Sequence, residues 1–450
     1  MIEHIIEIIE KFDLIKKNQH IVVGFSGGAD SLFLVLALLE YQKRQAFYMH
    51  CCHINHMLRE QEAIRDENFC REFCRKYGIP FYAFRIDVAS YSCKEKRSLE
   101  EAGRIIRYRC FHKIADKWEN SRIAVAHHGD DQVETVLQNM IRGTGLTGLT
   151  GMDYKNGKII RPMLDVYKKD ILEYLEREAF SFCVDSTNEE NDYNRNRIRN
   201  QLIPFLERLN PNVKQAILRM SISLSRDEDY LNQKKQESFH KVLKKDQDGI
   251  SYIDTGLWGE VHPSIQFRVI MKIIESFHGH CRDISQNDLT RVVELFNKEK
   301  GKKELLADLV WEKDSKRVWI YREKKDEFIE KNLVLGKEYS FNGYIIKADK
   351  IKRADMKKGD SVYFSKEILT YPLILRNRKT GDRFYPYNAP GEKKLKDFFI
   401  DQKIPRFKRN QIPLLVCNHK IIWIPGIRRS NWYLVGEKDE EFIEFTWRKI

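Results

Sequence analysis

The hexapeptide Ser26-Gly27-Gly28-Ala29-Asp30-Ser31 stands between two apolar runs, and this arrangement decides the fold of the N-terminal part of the chain. The preceding run, 21–25, is short and rich in β-branched residues, which predicts a buried strand. The following run, 32–39, is longer and rich in Leu and Ala, which predicts a helix. A strand, a glycine-rich turn and a helix together can form an anion site, because paired glycines let the backbone approach a phosphate and the helix start presents free N–H groups.

The side chains of the hexapeptide refine this prediction. Ser26 and Ser31 add hydroxyl donors, whereas the charge of Asp30 is wrong for direct phosphate binding and indicates a bridging Mg²⁺. The alternative is a tight strand-to-helix turn in which Asp30 only favours the helix N-terminus. No Walker A pattern occurs in the chain. The hexapeptide resembles the SGGxDS signature of the PP-loop ATP pyrophosphatases, which implies phosphate binding by residues 26–31 and cleavage of ATP to AMP and pyrophosphate.

Composition limits the class of protein. The chain has 450 residues, 42% of them hydrophobic and 32% charged, which predicts two or three globular domains. No apolar run is long enough to span a bilayer, and the segment 1–10 lacks a basic signal-peptide start, so we expect a cytoplasmic protein without a membrane partner. Nine cysteines without a C-x-x-C pair fit reduced thiols. The net charge of +13 fits a polyanionic partner or an ordinary soluble enzyme.

The first part of the chain alternates predicted strands and helices. This alternation predicts an α/β domain with a parallel, Rossmann-like sheet that is covered by helices on both faces. Ligands bind such sheets at the carboxyl ends of the strands, so the loops after Phe25, Asn55, Asp87 and His128 should gather at one edge. The predicted elements are strands at 47–55, 81–87 and 122–128 and helices at 61–77, 98–118, 130–142 and 168–179.

The rest of the chain suggests three further parts. We expect a catalytic domain over 1–210, a mainly helical domain over 211–330 that ends in a β-hairpin, a linker or extension over 331–370, and a small β-rich domain over 371–450. The last part holds 17 Lys or Arg against 9 Asp or Glu, with aromatic residues between them. This composition suits RNA binding, and it equally suits a small aromatic core with a solvated basic face.

An acidic cluster follows the predicted strand at 122–128. Asp130 or Asp131 can cap the next helix, and Glu134 lies one turn further along it. Several acids beside ATP phosphates would concentrate negative charge, which Mg²⁺ or a substrate ammonium group would relieve; the alternative is simple capping. His127 and His128 could suggest zinc, but no third ligand at a metal spacing accompanies them.

Two groups of arginines are candidates for anion binding. Arg104 and Arg107 share a helix face and could neutralise an adenylate or pyrophosphate, or they could belong to a salt-bridged solvent face. Arg195, Arg197 and Arg199 alternate with other residues, which predicts RNA contacts or an exposed basic helix start.

These motifs occur in a particular order, and as an ordered set they resemble the bacterial tRNA(Ile)-lysidine synthetase family over nearly the whole chain. The segments that carry the resemblance after the hexapeptide are His53–Arg59, Arg104–Tyr108, His127–Thr135, Arg142–Leu149, Asp185–Asn188, Arg195–Arg199, Thr380–Phe384, Lys393–Lys396 and Ile422–Gly426.

The resemblance implies an AMP-forming ligase that acts on tRNA(Ile) with a CAU anticodon. The C2 oxygen of the wobble cytidine, position 34, would attack the α-phosphate of ATP and release pyrophosphate. The ε-amine of free L-lysine would then displace AMP, giving lysidine and changing codon recognition from AUG to AUA. The cofactors implied are ATP and Mg²⁺, and a homodimer is a further implication.

The resemblance also implies residue roles. Asp30 would be the metal-side carboxylate, Arg107 and Asp131 would be catalytic with Arg104 second, and Asp130 and Glu134 would contact lysine or metal. The predicted RNA-binding residues are Arg195, Arg197, Arg199, Arg383, Lys393, Lys394 and Lys396.

Three other functions remain open at this point. A PP-loop tRNA thiolase would share the ATP site but typically needs paired C-x-x-C cysteines. A small-molecule ATP-dependent synthetase would not need the basic aromatic tail. A non-enzymatic RNA-binding protein would not need the acid and arginine clusters.

Overall fold

The computed structural model describes residues 1–57, 60–183, 194–281, 284–323, 328–353, 361–437 and 439–449. The motif Asp185-Ser186-Thr187-Asn188 and the Leu58-Arg59 end of another motif lie outside these residues. The chain divides into two compact units, Met1–Lys234 and Lys235–Ile450. The first boundary thus falls within the helix Val213–Val242, whereas the sequence pattern places it at residue 210.

The first unit is built on a mainly parallel sheet. Its described strands are β1 (His20–Gly24), β2 (Tyr48–Asn55), β3 (Phe81–Arg85), β4 (Ser121–Ala124), β5 (Lys155–Asn156) and β6 (Ile159–Ile160). They follow the order β3-β2-β1-β4-β6-β5, and all neighbours are parallel except the β5–β6 hairpin. β1 therefore lies inside the sheet, and the hexapeptide leaves from its carboxyl end.

Helices cover both faces of this sheet, as the alternating pattern predicts. The described helices are α1 (Ile2–Lys11), α2 (Ala29–Gln42), α3 (Glu60–Lys76), α4 (Val88–Glu95), α5 (Leu99–Ala115), α6 (Gly129–Arg142), α7 (Leu146–Leu149), α8 (Lys168–Arg177), α9 (Asn194–Arg197), α10 (Ile203–Leu209) and α11 (Val213–Val242). A π-helical turn, Ile198–Leu202, joins α9 to α10. One apolar core contains residues of α1, α2, α3 and α8, and a second contains residues of α4 and α5.

The second unit combines helices with antiparallel sheets. Its described helices are α12 (Thr255–Gly259), α13 (Pro263–His278), α14 (Gln286–Leu295), α15 (Leu395–Asp401) and α16 (Arg406–Arg409). Its described strands are β7 (Leu243–Lys245), β8 (Ser251–Asp254), β9 (Lys303–Leu306), β10 (Leu309–Lys313), β11 (Arg317–Arg322), β12 (Glu330–Asn332), β13 (Glu338–Phe341), β14 (Tyr344–Lys352), β15 (Val362–Ser365), β16 (Leu373–Arg376), β17 (Arg383–Phe384), β18 (Lys393–Lys394), β19 (Leu414–Cys417), β20 (Lys420–Ile424), β21 (Arg428–Arg429) and β22 (Glu441–Lys449).

The sheets of the second unit revise the expected division of the chain. The β-hairpin predicted at the end of the region 211–330 is observed as β10 and β11, but it joins β7, β8 and β9 in one sheet, so this region is less purely helical than its sequence indicates. Residues 331–370, which the sequence marks as a linker or extension, contribute β13 and β14 to a sheet that contains the C-terminal β22. In the described part of the chain, no helix has the length and apolarity needed to cross a bilayer.

Candidate active site

The hexapeptide forms a tight loop between β1 and α2. Gly27 has φ of +90°, a left-handed conformation that favours glycine. The Ser31 hydroxyl accepts from the Ser26 backbone N–H at 3.2 Å and donates to the Gly28 carbonyl at 3.0 Å. These bonds fix the loop without using the N–H groups at the start of α2 that can bind an anion.

A cavity of about 460 Å³ opens beside this loop. Its lining includes Ser26 after β1, His56 after β2 and His127 after β4, so three of the four loops expected at this edge of the sheet meet there. Asp87, which follows β3, is not part of the lining; it caps α4 by accepting from the Ser90 backbone N–H. The volume falls in the range of small-molecule sites.

One arginine of α5 lines this cavity, and it has no acidic partner among the described residues. Arg107 lines the cavity, and the Arg104 guanidinium lies 5.3 Å from the centroid of the Tyr108 ring. Neither guanidinium forms an ion pair with any described residue, so the salt-bridged solvent face considered for this helix is not observed. An unneutralised guanidinium that lines the cavity of a phosphate loop, as Arg107 does, is suited to bind phosphate.

Asp30 forms an ion pair that its sequence context did not indicate. Lys168 Nζ, at the start of α8, lies 2.6 and 2.7 Å from the two carboxylate oxygens of Asp30. The Lys168 backbone N–H donates to Asp130 Oδ2 at 2.9 Å, and Lys214 Nζ lies 3.0 Å from Asp130 Oδ1. Lys168 thus connects the phosphate loop with the acidic start of α6.

His128 lies between the carboxylates of this region and caps α6. Its imidazole nitrogens lie 3.8 Å from Asp30, 3.6 Å from Asp130 and 3.6 Å from Asp131. His128 occupies the N-cap position, and its backbone N–H donates to Asp131 Oδ2 at 3.0 Å. Asp131 thus takes part in capping α6 from the third helical position, as the sequence predicts.

Two arginines predicted to contact RNA instead contact the acids of α6. Arg195 donates to Glu134 at 2.7 Å through Nε and to Asp131 at 2.8 Å through Nη2. Arg199 Nε donates to Glu134 at 2.5 Å. Glu134 is only 1% exposed. Sequence spacing could not reveal this cluster, because about sixty residues separate the arginines from the acids.

Nearby charges favour the ionised form of two acids at the start of α6, Asp130 and Asp131. Burial favours the neutral form of Asp131, but His128 and Arg195 outweigh burial and hold the Asp131 pKa below its usual range. Burial also opposes ionisation of Asp130, and the Lys168 backbone N–H and Lys214 reverse that effect, so its pKa is lowered too. His127 shows the opposite case, since burial lowers its pKa to about 3 and leaves the imidazole neutral.

The predicted RNA-binding residues of the tail lie in the second unit and are of two kinds. Arg383 forms an ion pair with Glu392 at 3.4 Å, and Lys393 forms one with Asp401 at 2.8 Å. Lys394 and Lys396 are exposed. RNA phosphates could bind Lys394 and Lys396 without breaking an ion pair seen in the structure. At Arg383 and Lys393 they would have to compete with Glu392 and Asp401.

The described residues contain no group of three or more His, Cys, Asp or Glu side chains that could hold a metal ion by themselves. Asp30 shares the lining of the cavity with two other acidic residues, Glu62 and Asp66.

Comparison with known proteins identifies the two ends of the chain. The family model for the PP-loop domain matches residues 1–206, and the model for the TilS substrate C-terminal domain matches residues 373–445. The first match covers the sheet and the acidic cluster, and the second covers the basic aromatic tail. The predicted α/β fold with a β-rich C-terminal domain is confirmed.

Full-length relatives carry one name. The tRNA(Ile)-lysidine synthase of Caldanaerobacter subterraneus subsp. tengcongensis is 31% identical over 466 residues, covering 100% of this chain and 98% of that protein. The protein of the same name from Persephonella marina is 34% identical and covers 99% of each chain. The solved U34-tRNA thiolase NcsA from Methanococcus maripaludis is a distant structural neighbour, at 19% identity and a TM-score of 0.42 over 49% of this chain and 78% of its own. The chain belongs to the tRNA(Ile)-lysidine synthase family.

Proposed function

We propose that the protein ligates free L-lysine to C2 of the wobble cytidine of tRNA(Ile) with a CAU anticodon. In the first step the C2 oxygen bonds to the α-phosphorus of ATP and pyrophosphate leaves. In the second step the ε-amine of lysine bonds to C2, the bond from C2 to the adenylated oxygen breaks, and AMP leaves. The products are lysidine, AMP and pyrophosphate. The single observation that carries this proposal is the cavity that joins the phosphate loop to unpaired Arg107.

The first step needs a site that binds phosphates and stabilises negative charge. The start of α2 offers backbone N–H groups and the positive end of the helix dipole to the phosphates. Arg107, with Arg104 one turn before it, can neutralise the charge that develops on the α-phosphate and on pyrophosphate. Since these guanidiniums have no carboxylate partner in the described part of the chain, phosphate binding breaks no ion pair seen there.

The residues at the loop fit a magnesium ion. Mg²⁺ in phosphate-transfer sites takes one or two protein carboxylates and completes its shell with phosphate oxygens and water. Asp30 supplies one such carboxylate, and Lys168 already places a cation against both of its oxygens. When bound, Mg²⁺ would neutralise phosphate charge, and Asp30 would hold it.

The second step needs a place for an ammonium group. Asp131, Glu134 and Asp130 form an acidic region beside the cavity, with Asp30 and His128 between the two. The lowered pKa of Asp130 and of Asp131 suits the binding and orientation of the lysine ε-amine. Because Arg195 holds both Asp131 and Glu134, we expect it to position these acids, and lysine to enter at their remaining oxygen lone pairs.

A thiolase is disfavoured by the state of the cysteines. Burial raises the thiol pKa of Cys52, which lines the cavity, and that of Cys70 behind the loop well above the ordinary range. Sulfur transfer needs thiolate, which such sites do not supply near neutral pH.

The test is incubation of the purified full chain with unmodified tRNA(Ile) transcript, ATP and labelled lysine. We expect label in the tRNA, with one AMP and one pyrophosphate released per lysine incorporated. A transcript with guanosine in place of the wobble cytidine is the matched substrate control. Absence of label with intact protein and cytidine-containing transcript would contradict the proposal. Sedimentation of the same sample tests the homodimer, which stays a prediction, as does the cytoplasmic location.

A further inference from the structure

The first unit carries a second pocket, on the surface formed by the end of α6 and by α10; we call it the α6–α10 pocket. Ile141, Leu202 and Phe205 form its apolar wall, and Ile141 and Phe205 are 65% and 56% exposed. Its volume of about 510 Å³ is that of a small-molecule site. An apolar surface open to solvent in this way marks a place where another molecule binds.

Cations and amides border the apolar wall. The lining includes Arg142, Arg197, Gln138 and Gln201. In the described ranges neither of these arginines has a carboxylate partner, unlike Arg195, which contacts Asp131 and Glu134. The pocket therefore presents net positive charge, an aromatic ring and amide groups together.

We propose that the α6–α10 pocket binds an unstacked nucleobase of single-stranded RNA. This proposal rests on the proposed function, because it assigns a second contact to the same tRNA. Phe205 offers a ring on which a base can stack, and such stacking tolerates any base. Gln138 and Gln201 can hydrogen-bond base edges, and Arg142 and Arg197 can bind the flanking phosphates.

Helix α6 connects this pocket with the acidic region of the active site. Asp131 and Arg142 are eleven residues apart on that helix, about 16 Å along its axis. A few nucleotides of single-stranded RNA span such a distance. The occupant is therefore another base of the same loop that presents the reacting cytidine.

The charge of the pocket disfavours a second copy of the chain as its occupant. A two-fold contact through this surface would place Arg142 and Arg197 against the same side chains of the other copy. Repulsion between like charges opposes that arrangement, whereas a phosphate backbone removes the repulsion.

The test measures binding of anticodon stem–loop RNA to the full chain by fluorescence anisotropy. One set of RNAs carries a single abasic site at each loop position in turn, with the wobble cytidine kept. The variants are Phe205→Ala and Arg197→Ala. Their matched controls are Leu209→Ala and Arg208→Ala, which change exposed residues of α10 outside the pocket.

For the wild-type protein we expect one abasic position other than the wobble site to weaken binding roughly tenfold. Phe205→Ala should weaken binding of the intact loop by a similar factor and abolish the effect of that abasic position. Arg197→Ala should reduce the slope of log K against log salt by about one. The Kd of each control variant for the intact loop should stay within twofold of the wild-type value.

Three results would overturn this proposal. One is unchanged RNA binding in Phe205→Ala and Arg197→Ala. Another is that the losses of binding free energy from Phe205→Ala and from every abasic site are additive. The third is a changed sedimentation coefficient in Phe205→Ala, which would show that the surface is a contact between copies of the chain. Labelled-lysine incorporation by the wild type is measured separately, so loss of the base contact and loss of the ligase assignment are distinguishable.

Discussion

Arg195 Nε donates to Glu134 Oε2 at 2.7 Å, and the two residues are 61 positions apart. Glu134 is buried, and Arg199 completes its coordination from the next turn. The sequence motifs that suggested lysine binding at α6 and RNA binding at 195–199 thus meet in one charged cluster. This cluster joins the segment 194–209 to the start of α6 and fixes the acids beside the cavity.

Glu134→Gln should unfold more easily and form lysidine poorly. The substitution leaves Arg195 and Arg199 without their shared charge, and removing one member of a buried ion pair is costly. Because the guanidiniums are partly exposed, we expect a loss of roughly 2 kcal/mol in the free energy of unfolding. Urea titration of the full chain measures this loss of stability, with unfolding of the first unit followed by hydrogen exchange of the α6 amides.

The matched control is Glu3→Gln, which removes an acid from the exposed Arg44–Glu3 ion pair of the same unit. That change should leave both stability and activity close to the wild type, because solvent screens an exposed pair. Equal losses of stability and activity in the two variants would contradict the prediction that the ion pairs of Glu134 contribute more than an exposed pair.

Arg107→Ala should impair catalysis without destabilising the fold. Arg107 forms no ion pair with any described residue, and its proposed role is to neutralise the charge of phosphates bound in the cavity. Losing one such group costs about 100-fold in kcat when it acts on transition-state charge. Pyrophosphate release measures the effect, and Arg109→Ala, on the same helix beside Tyr91, is the control. A normal kcat in Arg107→Ala would remove this residue from the first step.

Local pattern predicted the sheet, its helices and the loop, because strand and helix periodicity depend on neighbouring residues. It could not predict Lys168 against Asp30 or Arg195 against Glu134, because the first pair forms only after α8 packs against α2 and the second only after α9 packs beside α6. The local pattern also predicted one role, RNA binding, for Arg195, Arg197 and Arg199. In the folded chain Arg195 and Arg199 contact Glu134, whereas Arg197 lines the α6–α10 pocket. Tertiary structure, which spacing does not encode, assigns their partners.

Lys168→Met should raise the requirement for magnesium and for ATP. Lys168 neutralises Asp30 beside the phosphate loop, so its loss leaves a carboxylate near the phosphates without a cation. We expect a several-fold higher KM for ATP at low Mg²⁺ and recovery as Mg²⁺ increases. Lys169→Met, which removes the exposed neighbour, is the control. A higher KM that Mg²⁺ does not relieve would contradict this role.

His50 should make the first unit sensitive to mild acid. Burial, then nearby His20 and Lys117, lower its pKa to about 4, against about 6.5 in the unfolded chain. Between these values the unfolded chain binds more protons, so stability falls as pH drops from 6.5 towards 4. The slope from this group is about 1.4 kcal/mol per pH unit. His50→Gln should show a shallower dependence, measured by hydrogen exchange of β2 amides at pH 7, 6 and 5; an unchanged slope would contradict the assignment.

Gly27→Ala and Gly28→Ala should separate folding of the loop from binding by the loop. Gly27 has φ of +90°, and a Cβ there would lie 3.2 Å from Cys70 Sγ, so alanine should cost about 1 to 2 kcal/mol of stability. Gly28 has φ of −72°, and its added Cβ would have no neighbour closer than 3.6 Å, so the cost should stay below about 1 kcal/mol.

The effect of Gly28→Ala should appear in ATP binding instead, because its backbone begins α2 and a Cβ there would keep phosphates at a distance. We expect at least a tenfold higher Kd for ATP by calorimetry, with normal urea unfolding. Gly145→Ala, at the N-cap of α7 with φ of −83° and no atom within 4 Å of an added Cβ, is the matched control. If Gly28→Ala bound ATP like the wild type, the phosphates would have to lie elsewhere in the cavity, and the geometry proposed for the first step would be wrong.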